Sequence, residues 1–101
     1  MSFTAIIEDS AGQEIARCTR LGNERYLVRK DKNFPLLSNL NLASYDVFSS
    51  GQASALRDEL LLLRDELDNG KERAHVEELA QLAQTSSEIG GSTITFTPFS
   101  R

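Results

Sequence analysis

The chain's one histidine, His75, stands three residues after Glu72 and three before Glu78. On a helix that spacing sets carboxylate, imidazole and carboxylate along one face, the arrangement from which helical bundles build carboxylate-bridged metal sites. Such sites use Glu-x-x-His twice and add glutamates from facing helices, and here the motif occurs once. A glutamate-rich surface helix makes the same triplet without a metal, so a solvated face is the preferred reading and no metal or other cofactor is expected. A single histidine also removes most acid–base and triad schemes. No Walker loop, GxGxxG, GxSxG or CxxC occurs, and nothing in the residues supports an enzyme. Cys18 is the only cysteine, so it has no internal disulfide partner and is expected to be a small core residue, compatible with a reducing compartment.

The second group with chemical potential is Asp58, Glu59, Asp65, Glu66 and Asp68. Side chains on one helix do not converge as the ligands of a calcium loop do, and no glycine-bearing DxDxDG run is present. These acids are set out by a partial repeat: Leu56-Arg57-Asp58-Glu59-Leu60 returns seven residues later as Leu63-Arg64-Asp65-Glu66-Leu67. Arg57 and Arg64 form one flank and the acids form the back, with Leu62 among them. An apolar residue ringed by acids is a pattern of docking surfaces. The partner-binding candidates are therefore Asp58, Glu59, Leu62, Asp65, Glu66 and Asp68, with the acids expected to be exposed.

These residues need a helix to position them, and the stretch from Ser49 to Leu67 predicts one. Leu56, Leu60, Leu63 and Leu67 recur at intervals of four, three and four, with Ala53 at the edge of their stripe. Ser49 and Gln52 have capping-box spacing, and Phe48 is placed as a hydrophobic staple against Ala53. Asp68-Asn69-Gly70 is expected to end this helix with Gly70 left-handed, while Asn69 and Glu72 repeat the capping spacing for a second helix. Val76, Leu79, Ala80 and Ala83 give that second helix an apolar stripe. A connection this short makes the two helices antiparallel neighbours. Gly90-Gly91 closes the element.

Around the hairpin the pattern is that of strands. Phe3–Glu8 is followed by the turn residues Asp9-Ser10-Ala11-Gly12, then by Glu14–Thr19, the turn Leu21-Gly22-Asn23, and Arg25–Lys30. Asp31–Phe48 contains Phe34-Pro35, which disfavours helix at Phe34, and reads as a packed connector with one helical turn. Thr93–Thr97 is a final strand ended by Pro98. The order βββααβ predicts an α+β fold: an antiparallel sheet of about four strands with the helical hairpin on one face and the last strand beside the first.

With 101 residues, 26% charged and 40% hydrophobic, the chain is expected to form one domain spanning residues 1–101. No apolar run is long enough to span a bilayer, and Met1-Ser2-Phe3 does not open a signal peptide, so a cytoplasmic protein is expected. The net charge of −4 is uneven: residues 1–50 carry six acids and six bases, residues 51–101 nine acids and five bases. The acidic half disfavours nucleic acid and favours basic partners. Arg17–Lys32 is the one basic region, with Tyr26 as a stacking ring, but bases on the solvent face of strands keep a sheet soluble and its edges unpaired, and that reading is preferred.

Phe34-Pro35-Leu36-Leu37, Tyr45-Asp46-Val47-Phe48, Gln52, Leu56, Glu59-Leu60, Leu63, Leu79 and Leu82 together resemble the layout of small bacterial α+β proteins, some of which are immunity proteins for antibacterial toxins. The resemblance covers roughly residues 34–98 and departs at Thr93–Phe99, which lacks a continuous apolar character. It implies a binding protein. The acidic half then suggests that the partner is a basic toxin domain, such as a nuclease, met by mimicry of its anionic substrate. The competing expectation is a small self-associating domain whose Leu61 and Leu62 pack on a second copy as a homodimer.

Overall fold

The computed structural model describes residues 4–18, 27, 32–40 and 46–97. The first two strands, β1 (Thr4–Glu8) and β2 (Glu14–Arg17), form an antiparallel hairpin. Asp9 shapes its turn: Oδ1 accepts the N–H groups of Ala11 and Gln13, each at 2.9 Å, and the Asp9 carbonyl accepts Gly12 N–H. Gly12 adopts φ 83°, which side chains rarely tolerate.

The third strand, β3 (Asp46–Ser49), leads directly into helix α1 (Ser50–Glu66), followed by α2 (Gly70–Glu88) and β4 (Thr93–Thr97). The sheet is antiparallel with order β2-β1-β4-β3. The fold is α+β, and the last strand does lie beside the first. The expected third strand, Arg25–Lys30, is a correction in part. Leu27 is its only described residue and is buried in 3-10 conformation, while the rest, with the Leu21-Gly22-Asn23 turn, lies outside the described residues. The third strand of the sheet comes instead from the end of the presumed connector. Earlier in that connector Phe34, Leu37 and Leu40 are buried, and Leu37–Asn39 forms a helical turn.

Register decides which side of the sheet meets the helices. Ile94 lies opposite both Ile7 and Phe48, and Phe96 lies opposite Ala5, so these five side chains share a face and belong to the core. The Phe48 and Phe96 rings meet edge to face with centroids 5.9 Å apart. From the helices come Leu56, Leu60, Leu63, Val76, Leu79, Ala80, Leu82 and Ala83. Full burial of a leucine contributes about 1.5–3 kcal/mol, so the α1 stripe is a large part of what holds the hairpin to the sheet.

Both helix starts form as the residue spacing implies. Gln52 Oε1 accepts Ser49 N–H at 3.0 Å in a capping box, with Phe48 and Ala53 buried on either side of it. Asn69 Oδ1 accepts the N–H groups of Lys71 and Glu72 at 2.9 and 3.2 Å. The helix stop differs from expectation. Gly70 is the first residue of α2, and the positive-φ glycines among the described residues are Gly12 and Gly91. α1 ends at an extended Leu67, and Arg73 Nη1 donates to the carbonyls of Arg64 and Leu67 at 3.3 and 3.1 Å. An arginine from the next helix thus satisfies the open carbonyls that a left-handed glycine would otherwise have helped to close.

At the other end of the hairpin, Ser92 Oγ donates to the Ser86 carbonyl at 2.9 Å, and the Ser92 carbonyl accepts Ser50 N–H at 3.0 Å. One buried serine therefore joins the end of α2, the approach to β4 and the start of α1. Among the described residues no helix is long and apolar enough to cross a membrane.

Candidate functional site

The buried stripe of α1 fixes what its back presents. Leu62 is 45% exposed. Asp58, Asp65 and Glu66 are exposed and stand four before, three after and four after it, the positions that neighbour a residue on a helix surface. The fold therefore assembles three of the five acidic candidates around the sixth candidate, Leu62. Asp68, also exposed, lies beyond the last turn of α1.

Glu59 is a correction. It is only 7% exposed, because position 59 lies three after Leu56 and four before Leu63 and so turns toward the packed side of the helix. Its carboxylate reaches the connector. Leu36 N–H donates to both oxygens at 3.1 Å, and Leu37 N–H donates to Oε1 at 3.0 Å. N–H groups at the start of a helical turn lack internal acceptors, and Glu59 supplies one from another element. Charge-assisted bonds of this kind offset the cost of burying the carboxylate. Glu59 is a structural acid and is not part of an exposed face.

The two arginines adopt matching postures. Arg57 donates through Nε and Nη2 to Asp58 Oδ1 at 3.1 and 2.9 Å, and Arg64 donates likewise to Asp65 Oδ1 at 3.2 and 3.1 Å. Arg57 Nη2 also lies 3.4 Å from Ser54 Oγ. On the other side, Arg57 Nη1 donates to Gln84 and Arg64 Nη1 stands 3.5 Å from Glu77. The aspartates remain 66% and 62% exposed, so each pair contributes up to about 1 kcal/mol.

A groove of about 410 Å³ runs between the two helices, lined by Arg57, Leu61, Arg64, Glu77, Ala80, Gln81 and Gln84. This groove was not foreseen from the residues, although the seven-residue recurrence of Arg57 and Arg64 was its signal. Leu61, expected to share an exposed patch with Leu62, is partly buried and packs against the core.

His75, expected on a solvated face, is instead buried, since it lies four before Leu79 on the packed side of α2, and among the described residues no group of three or more His, Cys, Asp or Glu side chains is placed to hold a metal ion. Cys18 is buried as a small core residue. Of the basic region, Arg17 donates through Nε to Glu14 Oε2 at 2.9 Å on the edge strand β2 and Lys32 is exposed. Arg20, Arg25, Tyr26, Arg29 and Lys30 lie outside the described residues.

No family model, curated protein or solved structure matches this chain.

Proposed function

We propose that the protein is a binding protein without catalytic activity, an immunity protein that works in the cytoplasm and neutralises a basic bacterial toxin domain such as a nuclease. The observation that carries this reading is Leu62, exposed on α1 with Asp58, Asp65 and Glu66 around it. A desolvated apolar anchor supplies affinity, while surrounding charge speeds encounter and selects a partner of opposite sign. Asp68 extends the negative potential past the end of the helix. The same acids repel phosphates, which speaks against nucleic acid as the ligand.

The competing reading, self-association through Leu61 and Leu62, is less well supported. Leu61 is partly buried against the chain's own core and faces the groove, and a two-fold contact centred on Leu62 brings Asp58, Asp65 and Glu66 of both copies together.

The test is co-expression with the toxin encoded by a neighbouring reading frame. Growth should be rescued by the wild-type chain and lost with Leu62→Ala combined with Asp65→Lys. Absence of a toxin gene nearby, together with no rescue against candidate toxins, would overturn the proposal.

A further inference from the structure

We propose that the groove between α1 and α2 is a second binding site, which takes an acidic helical segment of a protein partner. The groove lining contains no residue of the Leu62 face, although Asp58 and Asp65 of that face brace its arginines, and its test reads peptide binding in the groove rather than toxin neutralisation.

Duplication of one local arrangement carries the argument. Arg57 and Arg64 each rest Nε and Nη2 on the following aspartate and turn Nη1 across the groove toward α2. Asp58 and Asp65 therefore orient two guanidinium edges before any ligand arrives. Seven residues along a helix is a rise of about 10 Å, so the two edges match carboxylates one heptad apart on a docked helix. Leu61, between the two arginines in the chain and only partly buried, offers an apolar contact to a side chain midway along that segment. Gln81 and Gln84 add amide donors on the α2 wall.

The existing ion pair on that wall is a weak one. Arg64 and Glu77 are 3.5 Å apart, with Glu77 51% exposed, a pair that an incoming carboxylate replaces at little cost. Glu77 is then the one lining residue that opposes an anionic ligand. This gives the site a signature in which removal of a native charge improves binding.

The experiment uses the full chain and a short helical peptide carrying two glutamates one heptad apart with leucine between them, alongside its lysine counterpart. Backbone amide NMR titration should shift residues lining the groove with the glutamate peptide and not with the lysine peptide. Arg64→Gln should weaken binding by about tenfold, a loss of one charged contact. Glu77→Gln should strengthen it by about threefold, a direction that a damaged fold does not produce. The proposal is overturned if the glutamate peptide fails to bind at millimolar concentration, if both peptides bind equally, if the shifts fall outside the groove, or if Glu77→Gln weakens binding.

Discussion

Glu59 and Leu37 lie twenty-two residues apart in the chain and 3.0 Å apart in space, carboxylate oxygen to backbone N–H. That bond and its neighbours at Leu36 make Glu59 unlike the other acids of α1. Glu59→Ala leaves two N–H groups without their acceptor and should lower stability by about 1–3 kcal/mol for each one that stays buried. Asp58→Asn, on the exposed back, should stay within about 0.5 kcal/mol of wild type. Urea denaturation of the two variants side by side measures the contrast.

Leu60 is fully buried in the stripe that holds α1 to the sheet. Leu60→Ala should cost about 2–5 kcal/mol and lower the melting temperature clearly. A wild-type melting curve would mean that the helix contributes its stability from another face.

The helix junction relies on two side chains, Asn69 for the start of α2 and Arg73 for the end of α1. Asn69→Ala should cost about 0.5–2 kcal/mol, while Asn69→Gly should cost only about a few tenths of a kcal/mol, since glycine is itself an acceptable cap. Thermal denaturation followed by circular dichroism at helical wavelengths distinguishes the two.

Gly90 and Gly91 are adjacent and should respond differently. Gly91 has φ 83°, and a Cβ there would lie 3.4 Å from Ser10 Cβ, whereas a Cβ on Gly90 meets nothing within 4 Å. Gly91→Ala should destabilise by about 1 kcal/mol or more through backbone strain, and Gly90→Ala should not. Chemical denaturation midpoints at equal slope provide the comparison.

On the proposed partner face, Leu62→Ala should leave the melting temperature unchanged and lower affinity for the partner. Reversal of Asp65 and Glu66 to lysine should lower the association rate and flatten its salt dependence, because steering acts through a screened field. Surface-binding kinetics at two ionic strengths separate the apolar contribution from the electrostatic one.

Both helices were legible in the sequence because their information is local: leucines at three- and four-residue intervals and cap pairs three residues apart. β3 was not, because a four-residue edge strand with one buried side chain, Phe48, is too short to show alternation. Glu59 was misplaced for a different reason. Its partners come from another element, and nothing in Arg-Asp-Glu-Leu distinguishes it from Glu66, the same position in the repeat. Gly70 was misread because the arginine that replaces a glycine stop lies within the following helix. Around Leu62 the exposed set was read correctly apart from Glu59, since burial of one stripe dictates exposure of its back.

The strand order has a consequence for how the chain is made. β4 lies between β1 and β3, and its register joins Thr97 to Thr4. While a ribosome is still synthesising α2, β1 and β2 are already available as a hairpin, but β1 has no neighbour on its inner side and β3 has none at all. The helical hairpin depends on nearby residues and can form early. Sheet closure must wait for a pairing that spans nearly the whole described chain, and such pairings form slowly because loop-closure entropy comes first. During that interval the β1 edge and the apolar side of the hairpin are uncovered together, and nascent chains halted before residue 93 should be the most dependent on chaperones and the most prone to aggregate.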